Sequence, residues 1–213
     1  MALSDLLFGR GPSKSLAEIL SSTFLEEDYF WLASGLKPNT VVLDIGAYVG
    51  DTAIYFAMQD NVSEVRAYEP YPAVFETLRQ NVEKSRRKAK IKLFNNAIGK
   101  PGSDYAITLS ESAYAADEAL VQGKGRQVRV IGMDKALGDI QGNSVAVKIN
   151  VDGGEFFVID EKLDLGKVYK MQICVYPKFG NASVLEDLLK NKGFKTSKEP
   201  KHLPDQAWLY AWR

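Results

Sequence analysis

Residues 41–52 read VVLDIGAYVGDT, and the fold turns on this stretch. Val41, Val42, Leu43 and Ile45 form a short β-rich run, two glycines four positions apart follow, and TAIYFAM (52–58) then has the look of a helix. A strand that passes through a glycine turn straight into a helix opens a βαβ unit. Gly46 and Gly50 frame that turn, where missing side chains let a ligand approach the backbone. The spacing is Gly-x-x-x-Gly; the Gly-x-Gly-x-x-Gly dinucleotide fingerprint is absent, which weighs against a pyrophosphate cradle and leaves a nicotinamide-dependent enzyme the weakest alternative. Asp44, on the last turn of the strand, projects toward the same cleft, where a carboxylate can orient the turn or attract a cationic ligand head.

The alternation continues downstream. EVRAYEP (64–70) is a strand ended by proline, AVFETLRQNVEKS (73–85) has the period of an amphipathic helix, and IKLFNNAIG (91–99) is a third strand. Strands alternating with helices predict parallel pairing with right-handed crossovers. The middle breaks the rhythm: DYAITLS (104–110) and RQVRVIGM (126–133) read as an inserted hairpin or flap, joined by a Ser/Ala/Glu-rich segment ending in Gly123, Lys124 and Gly125. SVAVKINV (144–151) and KVYKMQICVYP (167–177) are buried strands, NASVLEDLLKNKG (181–193) is a capped helix, and FKTSK (194–198) with AWLYAWR (207–213) closes as a hairpin. Upstream, Leu16, Ile19, Leu20, Phe24, Phe30 and Trp31 space one or two helices over 16–34. The predicted fold is α/β: a doubly wound, mainly parallel seven-stranded sheet with an inserted hairpin and a C-terminal antiparallel hairpin. Residues 1–38 are expected to form a helical cap, with a dimer contact as the cap's alternative role, and residues 39–213 the main α/β domain.

Composition narrows the chemistry. The 213 residues are 46% hydrophobic and 25% charged, with 27 basic residues balancing 27 acidic ones, so no global field draws the chain to nucleic acid or an anionic membrane. Cys174 is the single cysteine and His202 the single histidine, which removes intrachain disulfides, four-thiolate zinc sites, two-histidine metal motifs and the usual base of a serine hydrolase. The opening MALSDLLFGRGPSKSL carries no basic leader with a sustained apolar core, and no window is long and apolar enough for a membrane helix; a soluble, cytoplasmic protein is expected.

Glu69 ends the second strand about 20 residues past the glycine turn, where an acidic side chain can accept hydrogen bonds from both hydroxyls of a ribose. At the end of the third strand, Asn96 and Ala97 offer a side-chain amide and a backbone N–H near the expected adenine edge. The order DIGAYVGDT (44–52), AYEP (67–70), NNAIG (95–99) and KINVDGGEF (148–156) resembles class I S-adenosylmethionine-dependent methyltransferases, and more narrowly the FkbM-type family, over roughly residues 40–176. The resemblance implies a Rossmann-like methyltransferase fold, S-adenosylmethionine as cofactor and a small-molecule or glycan-like acceptor methylated on oxygen. It places Asp44, Gly46, Ala47 and Gly50 around the methionine part of the cofactor, Glu69 on the ribose, and Asn96 with Ala97 at the adenine. Tyr48, Tyr71 and Tyr176 can line the cleft and favour a sulfonium by cation–π attraction.

The second half departs from the family pattern. Where relatives are similar to Lys-x-Asp-x-Glu-Gly-x-Glu, this chain has Lys148, Asn150, Asp152 and Glu155, and where Glu-x-His is common it has Cys174, Val175 and Tyr176. Removal of an alcohol proton during transfer then falls to Asp152 or Glu155, with Lys148 or Asn150 positioning the acceptor. No metal is expected; Asp152, Glu155 and Asn150 lack a metal-binding spacing. The departures also admit a cofactor-binding protein that has lost catalysis. The basic run from Lys84 to Lys92 reads as a solvated helix end, with an RNA methyltransferase as its functional alternative, and His202 reads as an exposed loop residue unless the terminal hairpin closes over the cleft.

Overall fold

The computed structural model describes residues 23, 28–100, 105–107, 120–122, 126–142, 144–200 and 206–213, with backbone alone at 105–107, 120–122 and 126–127. His202, the helices expected before residue 23 and the glycine-lysine-glycine segment at 123–125 lie outside these residues. A single helical turn, α1 (Phe30–Ala33), leads into β1 (Thr40–Ile45), α2 (Asp51–Ala57), β2 (Val62–Tyr68), α3 (Pro72–Lys84) and β3 (Ile91–Phe94). Short strands follow at β4 (Ala97–Ile98), β5 (Tyr105–Ile107), β6 (Leu120–Gln122), β7 (Arg126–Gln127) and β8 (Val130–Ile131). The second half holds α4 (Met133–Gly138), β9 (Val145–Ile149), β10 (Val168–Val175), α5 (Ala182–Asn191), β11 (Lys195–Pro200) and β12 (Ala207–Trp212).

Seven strands form one sheet in the order β3-β2-β1-β9-β10-β12-β11. Strands β3, β2, β1, β9 and β10 run parallel, and β12 is antiparallel to both β10 and β11. The fold is thus the doubly wound, mainly parallel sheet with a terminal antiparallel hairpin. Chain progression reverses between β1 and β9, the switch point at which open α/β sheets bind ligands beyond their strand ends.

Period-two alternation splits the core into two faces. Leu43, Ile45, Val147, Ile149, Met171 and Ile173 pack with Leu137 of α4 and with Leu185 and Leu189 of α5. On the other face Val42, Ala146, Cys174 and Trp208 pack with Phe56 of α2, Leu78 of α3, and Tyr29, Leu32 and Leu36. The described part of the expected cap therefore shares a core with the sheet. Polar side chains of β10 hold it there: Lys170 Nζ donates to the carbonyls of Trp31 (2.5 Å) and Ser34 (2.6 Å), and Gln172 Nε2 to that of Asp28 (2.7 Å).

Three details correct the sequence reading. The strand expected over 91–99 stops at Phe94, because Asn95 Nδ2 turns aside to the carbonyls of Glu69 (2.9 Å) and Pro70 (3.1 Å); Ala97–Ile98 then pairs with Val130–Ile131 in a separate ribbon. The run 126–133 is broken into two strands and ends in a helix from Met133, and β5 pairs with β6 as well as β7, so the described part of the insertion is three-stranded. The helix was hidden because Met133, Ala136 and Leu137 supply only one buried turn, too short to show a period. No helix among the described residues is long and apolar enough to cross a membrane.

Arg213 fastens the amino-terminal end of the sheet, lying over the Phe194 ring at 4.4 Å and donating to the carbonyls of Leu165, Val168 and Lys192. Three charge-assisted bonds at an exposed residue outweigh one cation–π contact. Arg213→Ala should lower stability by about 1 kcal/mol, a fall of roughly 2–4 °C in Tm for a chain this size, measured by calorimetry.

Candidate active site

The centre of the carboxyl edge is a pair of buried ions. Asp44 and Lys148 are register partners on β1 and β9, and each is essentially inaccessible to water. Lys148 Nζ lies 2.9 Å from Asp44 Oδ1 and donates to the Gly46 carbonyl at 2.6 Å, while the Thr52 hydroxyl donates to Asp44 Oδ2 at 2.7 Å. The carboxylate expected to meet a cationic ligand is thus neutralised from within the chain. It orients the glycine turn, and Lys148 spends its donors on the same task.

The two glycines are needed for backbone packing. Gly46 has φ 79° and Gly50 φ 93°, conformations that disfavour a side chain. A Cβ on Gly46 would stand 1.9 Å from the Asn150 carbonyl oxygen, and one on Gly50 2.6 Å from Leu78 of α3. The side of each glycine that a Cβ would occupy is therefore taken up by the protein. Beyond Gly46 in the turn, Ala47 is buried and Tyr48 is held at φ 49°.

Glu69 follows β2 and leans against that rim. Its Oε2 accepts the Tyr48 N–H at 3.1 Å and its Oε1 the Tyr71 N–H at 2.9 Å, leaving each oxygen a lone pair for a hydroxyl donor. Burial pushes its carboxyl up to about 7, against the lowering effect of the two N–H groups and Lys148; the charge of Asp152 adds to the rise. Asp152, although distant in sequence, thus acts on Glu69 as a like charge. The residues present fit a ribose-bearing cofactor at Glu69. At the expected adenine edge, the Ala97 N–H is already donated to the Arg129 carbonyl at 2.9 Å, so it is not available to a base. Asn96 Nδ2 reaches the same carbonyl at 3.4 Å.

Past β9 and β10 the edge is built from two interlocked loops. Phe179 of the 176–181 loop seats its ring against Gly153, where a Cβ would lie 2.2 Å away, and Phe156 seats against Gly180, where a Cβ would lie 2.6 Å away. Glu155 staples the same loops, accepting from the N–H groups of Gly153 (2.9 Å) and Tyr176 (2.7 Å). It is wholly buried, and desolvation pushes its carboxyl up. Asp152 remains half-buried at φ 48°, and the Tyr176 hydroxyl donates to its Oδ1 at 2.5 Å. Asn150 lies between two phenols: its Oδ1 is 3.3 Å from the Tyr176 hydroxyl and its Nδ2 3.3 Å from that of Tyr29.

Lys148 and Glu155 are thus engaged inside the protein, and the half-buried Asp152, Asn150 and Tyr176 form a hydrogen-bonded cluster. The sequence reading missed the Asp152–Tyr176 contact, which joins residues 24 apart and has no local signature. Among the described residues, no group of three or more His, Cys, Asp or Glu is placed to hold a metal ion. The basic run lies at the end of α3 and the start of β3, the opposite edge from Glu69; Lys88 pairs with Glu83 and Lys92 with Glu64.

A doubly wound sheet of this strand order, with an acidic residue on each of the first two strand ends, defines the class I architecture of S-adenosylmethionine-dependent methyltransferases. The model of the methyltransferase FkbM domain matches residues 44–196, and the chain belongs to that family. It is 24% identical over 200 residues to Methyltransferase 1 of Beauveria bassiana (strain ARSEF 2860), covering 81% of this chain and 79% of that protein. Its fold is shared with methyltransferase FkbM of Methylobacillus flagellatus KT, with a TM-score of 0.53 at 16% identity over 84% of this chain and 46% of that one. It is shared too with TrmK of M. capricolum, solved with S-adenosyl-homocysteine, with a TM-score of 0.54 at 14% identity over 86% and 66% of the two chains. This chain thus spans less than half of the FkbM structure and about two thirds of the TrmK chain.

Lys148→Met should destabilise the protein by about 3–5 kcal/mol, because it strands a buried carboxylate. Adding Asp44→Asn should recover part of that loss, as read from urea denaturation of the single and double variants.

Proposed function

We propose that this enzyme moves a methyl group from S-adenosylmethionine to a hydroxyl oxygen of a small-molecule or glycan-like acceptor. The observation that carries the reading is Glu69, a carboxylate fastened to the rim of the glycine turn with acceptor capacity to spare. In this reading Glu69 receives the two ribose hydroxyls, the backbone around Ala47 and Tyr48 borders the methionine part, and the Asn96 amide meets the adenine. Asp44, Gly46 and Gly50 act one layer behind by shaping the turn. When bound, the cofactor supplies an electrophilic methyl on a sulfonium sulfur that departs as a neutral thioether.

The chain's own task is to hold the acceptor oxygen in line and take its proton. Asp152 is assigned as the base. It is half-buried, whereas Glu155 is wholly buried with both oxygens tied to backbone N–H groups. Asn150 orients the acceptor hydroxyl beside it. The oxygen acceptor itself is carried by the family resemblance.

Two outcomes follow from the roles of Glu69 and Asp152. Ribose hydroxyls donate to the anion, so cofactor affinity should fall as pH drops through about 7 and Glu69 takes up a proton. Titration calorimetry with S-adenosylhomocysteine should show weaker binding at pH 6 than at pH 8, by up to roughly tenfold, and a Glu69→Gln variant should show no such slope. Asp152→Asn should lower transfer of radiolabelled methyl to a panel of hydroxylated small molecules and glycosides by about 100-fold or more, while leaving S-adenosylhomocysteine affinity within about twofold of the parent.

A further inference from the structure

We propose that Tyr29 is a positioning residue for methyl transfer, its phenol oxygen holding the Asn150 amide in place so that the amide can align the acceptor hydroxyl. The inference rests on the reading of Asn150 as the group that orients the acceptor. Its geometric ground is the hydrogen bond that Asn150 Nδ2 donates to the Tyr29 hydroxyl oxygen, 3.3 Å long and made between residues 121 apart in the chain. Tyr29 stands just before α1, outside residues 44–196 that match the FkbM domain. A segment that the family domain does not include thus reaches the residue that orients the acceptor.

Asn150 needs such a clamp. Its backbone is fixed, because its N–H donates to the Ile45 carbonyl at 3.0 Å and its own carbonyl lies close against Gly46. The half-buried side chain still has two torsions to settle, and only its polar contacts can settle them. The Tyr176 hydroxyl stands 3.3 Å from Oδ1, but its one proton is also given to Asp152 at 2.5 Å, and the shorter bond takes the larger share. The bond to Tyr29 uses a proton of the amide itself and divides it with no other group among the described residues.

Tyr29 is suited to the task because it is rigidly packed. It is 4% exposed, its ring meets Phe56 and Trp208 edge-on at centroid distances of 6.1 and 5.4 Å, and the Lys148 ammonium lies 5.7 Å from its centroid. The chain on either side is tied to β10, through Gln172 and the Asp28 carbonyl and through Lys170 and the carbonyls of Trp31 and Ser34. A phenol oxygen held at a fixed point lets one hydrogen bond restrain a neighbouring side chain. Asn150 keeps capacity for an acceptor hydroxyl: an amide has two N–H groups and two lone pairs, and among the described residues one of each is engaged.

The test is a double-mutant cycle on methyl transfer, joined to a spectrum of the amide. In protein labelled with 15N-asparagine and saturated with S-adenosylhomocysteine, with Asn150→Ala identifying the side-chain pair, Tyr29→Phe should shift the Asn150 Nδ2 protons and leave the other side-chain amides in place. With radiolabelled S-adenosylmethionine and the best hydroxylated acceptor of the panel, Tyr29→Phe should lower kcat by roughly 3- to 10-fold, the effect of one neutral hydrogen bond, with the cofactor KM unchanged. In an Asn150→Ala background the same change should add no further loss, whereas a merely structural tyrosine would lose the same factor in both. Site-specific 3-fluorotyrosine at position 29, a weaker acceptor of the same shape, takes the place of Tyr29→Phe in both measurements if that variant fails to fold, with smaller effects in the same direction. Equal factors in the two backgrounds, an unchanged kcat or an unmoved amide pair overturn the proposal. Full transfer by Asn150→Ala removes Asn150 as the orienting group, and a parent that methylates no hydroxylated acceptor removes the functional reading; the proposal falls with either. An impaired Asn150→Ala beside additive losses removes only the role of Tyr29.

Discussion

A carboxylate on β1 and an ammonium on β9 lie 2.9 Å apart, shut off from water, where the two halves of the sheet meet. Neither ion is tolerable there alone, because desolvation of an unpaired charge costs more than nearby packing can return. Together they also fix register. Moving β9 by one residue would turn Lys148 to the opposite face and leave Asp44 without its partner. Thr52 and the Gly46 carbonyl complete the cluster, so β1, β9, the glycine turn and the first turn of α2 are tied at one point. The glycine turn is thereby anchored to the middle of the sheet.

The same economy runs through the cleft. Gly46 clears the Asn150 carbonyl, Gly50 clears Leu78, and Gly153 and Gly180 each seat a phenylalanine from the facing loop. These glycines let backbone segments close on one another at the carboxyl edge. The cleft walls then stand on the ends of rigid strands, which suits a site that must place reacting atoms within fractions of an ångström. Glu69 shows the cost of the arrangement. Its folded value of about 7 lies above the ordinary 4.5, so the folded protein gives up stability as pH rises through that interval. An anion poised to receive hydroxyl donors is a destabilised anion until they arrive.

Much of this was legible in the chain. The β-rich run ending in Asp44, the two glycines and the following helix announce a βαβ unit, and repetition of the pattern fixes a parallel sheet with Glu69 at its edge. The terminal hairpin could be read from its aromatic and β-branched residues. Other features gave no signal at sequence range. Asn95 ends β3 through side-chain bonds to a neighbouring loop, and α4 is one buried turn without a visible period. A lysine after a buried strand looks alike whether it faces an acceptor or neutralises a core carboxylate.

What the sequence alone determined, then, was the order of elements and the identity of the acidic strand ends, because strand and helix periods and glycine turns are local properties of the backbone. The tertiary structure decided which polar groups are spent inside the protein and which face the cleft. It sent Lys148 and Glu155 inward, committed the Ala97 N–H to Arg129, and set Tyr176 against Asp152. Those assignments depend on contacts between strands far apart in the chain, and a hydrogen bond or ion pair exists only once packing has brought both partners within about 3 Å of each other.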